Sequence, residues 1–168
     1  MVTSKARRLA PRLATPADLR QFRHFDCGDE DYQRSLVRFL LDDALDQAAH
    51  RYSTTYLFYD ESSRPLAFVT LACSALDPFD IDSGHDNIPV LMIEVLAVDR
   101  ASQQRGVGSE IMAWIRRKAD SMGIGCRYLA LYCDERNARA QEFYRRQGFF
   151  ETDITVLNGA ERLWLCPL

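Results

Sequence analysis

The sequence lacks the residue patterns that metal and disulfide sites require. Its five cysteines include no pair separated by two residues, and its three histidines are scattered without the spacing of metal ligands. An odd number of cysteines without a secretory signal indicates reduced thiols. We therefore expect no metal site. We also expect Cys73, Cys126 and Cys133, which lie in or beside apolar segments, to be small buried hydrophobic residues.

Long apolar runs and lysines are also scarce. No apolar segment approaches the ~20 residues that span a bilayer, and no apolar segment follows the basic N-terminal residues as in a secretory signal. A cytoplasmic location without a membrane partner is the default expectation. Lys5 and Lys118 are the only lysines, and the net charge of −3 argues mildly against nucleic acid as the main partner.

The composition is that of one globular domain. The chain has 168 residues, of which 47% are hydrophobic and 27% charged, and it contains no repeats or linkers. Hydrophobic periodicity predicts a single α/β domain over residues 1–168, in the order β-α-α-β-β-β-α-β-α-β-β. Predicted strands cover residues 6–13, 54–59, 65–75, 90–98, 128–133, 152–157 and 162–165; predicted helices begin at Pro16, span residues 30 to about 50 and 109–121, and begin at Asn137.

The most informative segment is a strand, a turn and a helix in succession. The apolar run that ends at Val98 is followed by Gln103, Gln104, Arg105, Gly106, Val107 and Gly108, and then by an amphipathic helix. A helix N-terminus carries unpaired N–H groups and the positive end of the helix dipole, and glycine lets a ligand approach the backbone closely. The turn therefore predicts a phosphate site. Neither the P-loop pattern nor the dinucleotide fingerprint fits it.

This segment resembles the pyrophosphate motif of the GNAT N-acetyltransferases, Q/R-x-x-G-x-G/A, which follows a strand that ends in Leu-Ala-Val-Asp. Here the strand ends in Leu96, Ala97, Val98 and Asp99. A second block, from Asn137 through Phe143 and Tyr144 to Gly148 and Phe149, resembles the family's other signature. Asn137 suits a helix N-cap and Gly148 a position just after a helix end. The resemblance implies a GNAT fold: a mixed, mostly antiparallel sheet with a splayed strand pair and helices on both faces.

The resemblance also implies the co-substrate and the roles of several residues. Acetyl-CoA would be held by the backbone of Leu96, Ala97 and Val98, by the turn residues 103–108 through its pyrophosphate, and by Asn137. Tyr144 matches the general acid that protonates the departing thiolate of coenzyme A. Many members of the family dimerise, so a homodimer is an open expectation.

Glu94 is the candidate general base, because it is the only charged residue within residues 90–98. Burial of a carboxylate in such an apolar strand costs free energy unless the group faces a cavity or is paired with an opposite charge. Strand alternation places it on the same side as Leu96 and Val98. A structural carboxylate that meets an arginine is the alternative.

The front half resembles the type II toxin acetyltransferases, which acetylate the α-amine of aminoacyl-tRNA. Phe25, Cys27 and Gly28 followed by a long helix carry this resemblance, as does the entry to the central strand at Ile88, Pro89 and Val90. Tyr32 in place of leucine, Glu94 and Val95 in place of a Gly-Arg pair, and the acidic net charge depart from the pattern. Arg7, Arg8 and Arg12, or Arg116, Arg117 and Lys118, are the candidate tRNA contacts.

Three functions remain open from the sequence. The first is an acetyl-CoA-dependent N-acetyltransferase that moves an acetyl group to a primary amine by direct attack, with its small-molecule or peptide acceptor unassigned. For this function, the segment with Asp77, Asp80, Asp82 and Asp86 is either a plain solvated loop or a region that attracts a cationic acceptor. The second is a toxin that acts on aminoacyl-tRNA. The third is a module that binds acyl-CoA without catalysis.

Overall fold

The protein is built on one seven-stranded sheet, in the order β1-β2-β3-β4-β5-β7-β6. The structure, a computed structural model, describes residue 9 and residues 11–77, 87–123 and 125–168. The strands are β1 (Arg12–Leu13), β2 (Thr54–Tyr59), β3 (Pro65–Leu76), β4 (Ile88–Val98), β5 (Tyr128–Asp134), β6 (Phe150–Val156) and β7 (Glu161–Pro167). The helices are α1 (Pro16–Leu19), α2 (Asp31–Asp42), α3 (Ala44–Ala49), α4 (Val107–Ser121) and α5 (Ala138–Arg146).

Strands β4 and β5 form the parallel pair of this sheet, whereas its other neighbouring strands are antiparallel. The β4–β5 pairing ends where Met92 faces Ala130, although β4 continues to Val98 and β5 to Asp134. The two strands therefore separate towards their C-terminal ends. This confirms the expected fold, including the splayed strand pair.

Helices cover both faces of the sheet, because alternate strand residues point to opposite sides. Phe58 and Val69 pack in one cluster with Ile111 and Ile115 of α4. The second cluster joins their sequence neighbours Leu57 and Phe68 to aromatic residues before α2 and to α2 itself. Residues in these clusters are close to fully buried, so both faces belong to the hydrophobic core.

Two predicted elements differ in the structure. The helix predicted over residues 30 to about 50 is broken at Asp43, whose φ of −115° departs from helical geometry, so α2 and α3 are separate. Short polar side chains such as aspartate favour helix ends over helix interiors. The two-residue hairpin turn predicted at Asn158 and Gly159 is longer, since Leu157, Asn158 and Gly159 all have positive φ between β6 and β7.

Some element ends, and the exposure of one cysteine, also differ from the predictions made from the sequence. Helix α4 begins at Val107, two residues before the predicted start, and β4 begins at Ile88. Of residues 6–13, the structure shows Arg12 and Leu13 in a strand, and residues 6–8 and 10 lie outside the described residues. Cys133 is buried as expected, whereas Cys73 is exposed.

The described residues contain no helix long and apolar enough to cross a membrane. Across the same residues, no group of three or more histidine, cysteine or acidic side chains is placed to hold a metal ion.

Candidate active site

A first cleft, of about 370 Å³, opens between the end of β4, the start of α4 and helix α5. Nine of the eleven residues predicted to bind the cofactor line it: Leu96, Ala97, Val98, Gln103, Gln104, Gly106, Gly108, Asn137 and Tyr144. The fold thus brings together two sequence blocks that lie about thirty residues apart. The two exceptions are Arg105, which is exposed beside the cleft, and Val107, whose side chain is buried in the core.

The turn before α4 exposes a row of backbone donors. Gln104 and Gly106 both have positive φ, of 60° and 82°, and Gly106 caps the helix with no side-chain hydrogen bond. Within the described residues, no backbone N–H of residues 104–109 has a hydrogen-bond acceptor. Successive free N–H groups at the N-terminus of a 15-residue helix suit an anion. The turn therefore has the donors that a pyrophosphate needs.

Gly108 is required for a different reason from Gly106. A Cβ at position 108 would lie 3.0 Å from Cζ of Phe143, whereas a Cβ at position 106 would meet nothing within 4 Å. Gly108 lets α4 approach α5 closely, and Gly106 supplies a left-handed backbone conformation.

The side chain of Gln103 joins two backbone segments by hydrogen bonds. Its side-chain Nε2 donates to the carbonyl oxygens of Cys27 and Val98, both at 2.9 Å. The same loop is held by Arg100, which pairs with Asp26 at 3.0 Å and Asp29 at 2.6 Å. A direct contact between Gln103 and the cofactor remains a prediction, and its side chain already has two acceptors.

Several residues of the first cleft were not predicted from the sequence. Helix α2 contributes Gln33 and Leu36, and helix α5 contributes Arg139 and Arg146. Arg146 pairs with Glu142 at 3.2 Å, whereas Arg139 has no ion pair with another described residue. Arg139 lies two positions after Asn137 at the start of a helix whose other end carries Tyr144. That position is the signal that would have identified it as a cation for a phosphate group.

A second cleft, of about 870 Å³, lies where β4 and β5 separate. Glu94 lines it. The two clefts share five lining residues: Leu36, Leu96, Asn137, Ala140 and Tyr144. A molecule in one cleft and a molecule in the other would therefore meet beside Tyr144.

Tyr144 is 9% exposed and its ring packs edge-on against Phe143 and Phe149. Burial raises the pKa of its hydroxyl, and the nearby Cys133 acts in the same direction. The phenol therefore remains protonated at physiological pH and can act as a proton donor.

Glu94 lies at an irregularity between β3 and β4. Thr70 faces Val95 and Leu71 faces Ile93, so Glu94 has no direct partner across the pair. The side chain is open to the second cleft, but loss of surrounding water raises the pKa of its carboxyl, an effect opposed by the hydroxyl of Ser53. A raised pKa brings a carboxylate closer to the range of a useful base. An arginine partner for Glu94 is absent among the described residues.

Asn137 caps α5, since its side-chain oxygen accepts from the N–H of Ala140 at 3.0 Å. At the other end of α5, Gly148 has a φ of 87° and donates to Arg145, while Phe149 donates to Tyr144. These two hydrogen bonds, together with the contact between the rings of Tyr144 and Phe149, form a Schellman motif. Both ends of α5 are therefore fixed, which in turn fixes the position of Tyr144.

A turn with free N–H groups and a splayed strand pair flank a buried tyrosine, an arrangement suited to an acyltransferase whose thioester substrate carries a pyrophosphate. The model of the Acetyltransferase (GNAT) family matches residues 18–149, well over half of the chain. The chain belongs to this family and is an N-acetyltransferase, and the family uses acetyl-CoA. No curated protein sequence is significantly similar to it.

Solved structures with this fold include several bacterial toxins. A tyrosine-to-phenylalanine mutant of KacT is 23% identical with a TM-score of 0.75, over 96% of this chain and 95% of that one. AtaT complexed with acetyl-methionyl-tRNAfMet is 21% identical with a TM-score of 0.71, over 95% and 94%. AtaTR bound with AcCoA is 26% identical with a TM-score of 0.70, over 95% and 92%.

Proposed function

We propose that the chain transfers an acetyl group from acetyl-CoA to a primary amine by direct attack, with Tyr144 as general acid and Glu94 as general base. The observation that carries this proposal is the meeting of two clefts at Tyr144. The first cleft has the donors for a pyrophosphate, and the second has a carboxylate on the wall from which an amine would approach.

Each residue has a defined task in this reaction. The acceptor nitrogen attacks the thioester carbonyl carbon, so a C–N bond forms and the C–S bond breaks. Glu94, directly or through water, takes the proton that the nitrogen loses, and the Tyr144 hydroxyl gives its proton to the departing sulfur. Both groups then return to their starting state by exchange with solvent. The backbone N–H groups of Leu96 and Val98, on the part of β4 that β5 does not pair, would stabilise the oxyanion.

Cys27 supports direct attack over an acetyl-cysteine intermediate. It lines the first cleft, but it is buried, its Sγ donates to the carbonyl oxygen of Gln33 at 3.3 Å, and burial raises its pKa to about 11. A thiol in that state is a poor nucleophile, since the thiolate is the reactive form.

The test is release of coenzyme A thiol from acetyl-CoA with a panel of primary amines, aminoacyl-tRNAs, and peptides. We expect turnover by the wild type, intersecting initial-velocity patterns, and loss of turnover in Tyr144→Phe with acetyl-CoA binding retained. Parallel patterns with a burst of one thiol per enzyme would contradict direct attack. A thermal shift with coenzyme A but no turnover on any acceptor would favour a module that binds acyl-CoA only.

A second candidate acceptor is the α-amine of aminoacyl-tRNA. Cys27, in the segment that also contains Phe25 and Gly28, lines the first cleft, and the AtaT structure that shares the fold is complexed with acetyl-methionyl-tRNAfMet. Arrest of growth on expression, relieved by Tyr144→Phe, together with acetylation of purified aminoacyl-tRNA, would support this acceptor. The predicted acidic segment from Asp77 to Asp86 lies outside the described residues beyond Asp77.

A further inference from the structure

The described residues that line the second cleft include three carboxylates and no cation. Glu94 lies on its β4 wall, and Asp134 and Glu161 lie on its β5 and β7 wall. Among the described residues that line it, none is lysine, arginine or histidine. Acidic groups therefore occur on both arms of the splayed strand pair, and Tyr144 lies at the junction with the first cleft.

Two of these carboxylates face each other directly. Asp134 and Glu161 are opposite partners in the β5–β7 register, an arrangement of like charges that destabilises a strand pair. Asp134 is held by Arg136 at 2.7 Å, whereas Glu161 has no ion pair with any other described residue. Burial raises the pKa of Glu161, and Asp134 adds to the rise. A cation beside Glu161 would remove this repulsion.

A buried hydroxyl lies beside Glu94. Ser53 is 5% exposed, and its Oγ has no hydrogen-bond partner of normal geometry among the described residues. It lies close enough to Glu94 to lower the pKa of that carboxyl. Buried hydroxyls are nearly always hydrogen-bonded in native proteins, and the carboxylate of Glu94 is the acceptor that Ser53 can reach.

Besides its carboxylates, the second cleft is lined by aromatic and apolar side chains. Tyr32, Tyr52 and Tyr132 line the cleft with rings, and Leu36 and Phe39 of α2 line its apolar part. Tyr32 already contacts one cation, since the guanidinium of Arg136 lies 5.2 Å from its ring centre. Aromatic faces attract cations, and apolar side chains favour an aliphatic chain.

We infer that the acceptor is an aliphatic amine that carries a second cationic group, with its reacting nitrogen beside Glu94 and Tyr144 and its distal ammonium beside Glu161. The inference rests on the proposed acetyl transfer and specifies its substrate class. The reaction is the same attack on the thioester, and the distal ammonium keeps its protons throughout. Glu161 is a specificity-determining residue in this arrangement. A polyanionic acceptor gains no such contact on this wall.

The test compares three acceptors that share a four-carbon spacer: putrescine, butylamine and γ-aminobutyrate. With saturating acetyl-CoA, we expect kcat/KM for the diamine to exceed that for the monoamine about tenfold or more, and the amino acid to be poorest. In Glu161→Gln we expect the KM for putrescine to rise about tenfold, with butylamine kinetics and acetyl-CoA affinity unchanged. Glu151→Gln is the matched control, since Glu151 is exposed on β6 outside both clefts.

The outcomes separate the inference from the function on which it rests. Equal kcat/KM for putrescine and butylamine, or a loss on both acceptors in Glu161→Gln, would overturn the inference while acetyl transfer stands. Turnover confined to aminoacyl-tRNA would also overturn it. Absence of turnover with every acceptor would contradict the proposed function itself. Glu161→Lys gives a second variant, in which we expect γ-aminobutyrate to become a better acceptor than putrescine.

Discussion

The side-chain amide of Gln103 donates a hydrogen bond of 2.9 Å to the carbonyl oxygen of Cys27, which lies 76 positions earlier in the chain. The same nitrogen donates to Val98 at the end of β4. One side chain thus joins the start of the α2 region to the strand and turn of the first cleft. Because α2 lines both clefts, this contact holds the chain before α2 against the turn of the first cleft.

We expect Gln103→Leu to lower the free energy of unfolding by about 1–3 kcal/mol, because two part-buried carbonyl groups lose their donor. Acetyl-CoA affinity should fall as well. Urea denaturation and a binding titration measure the two effects. Gln104→Ala is the control, since Gln104 is exposed and should change neither quantity greatly. A Gln103 variant with full stability but weak binding would instead indicate direct contact with the cofactor.

The two glycines of the turn should respond differently to alanine. Gly106→Ala places a side chain at a φ of 82°, at a cost of about 1–2 kcal/mol that no neighbouring substitution relieves. Gly108→Ala meets the ring of Phe143, so Phe143→Leu should relieve it. In that background, alanine should stabilise α4 by about 1 kcal/mol relative to glycine. A double-mutant cycle by urea denaturation measures this coupling, and additive effects would contradict it.

Tyr144→Phe should distinguish a role of the hydroxyl in catalysis from a role of the ring in packing. The phenyl ring keeps the edge-on contacts with Phe143 and Phe149, so we expect the melting temperature and acetyl-CoA affinity to change little. Loss of the proton donor should lower kcat about a hundredfold. Steady-state kinetics and calorimetric titration provide the comparison. Equal losses in kcat and in affinity would show that the hydroxyl serves the binding of the cofactor.

Glu94 gives a prediction about stability and pH. Desolvation raises the pKa of its carboxyl above the ordinary 4.5, so the folded protein holds this proton more tightly than the unfolded chain does. The resulting stability is present below pH 4.5 and is lost as pH rises through the folded pKa. Glu94→Gln, which mimics the protonated form, should therefore be more stable than the wild type at pH 7 and equally stable below pH 4.5. Denaturation at both pH values tests this, and equal stability at pH 7 would contradict it.

The same substitution tests the role of Glu94 as base. The activity of the wild type should rise with pH as the carboxyl loses its proton, and Glu94→Gln should lower kcat and remove that part of the pH profile. Glu142→Gln is a suitable control, because Glu142 is exposed on α5 and pairs with Arg146. An unchanged profile would assign Glu94 to acceptor binding alone.

The sequence by itself determined the family, the order of elements and most of the first cleft. Local rules suffice there, because a helix N-terminus with glycines at Gly106 and Gly108 has the same geometry wherever it occurs, and Asn137 and Gly148 fix the ends of α5 within one segment. Only the tertiary structure decided which residues from distant segments come together: the hydrogen bond from Gln103 to Cys27, the presence of Gln33 and Leu36 in the first cleft, and the opposed Asp134 and Glu161. Those contacts depend on strand register and on which helices meet, and neither is encoded in the spacing of neighbouring residues.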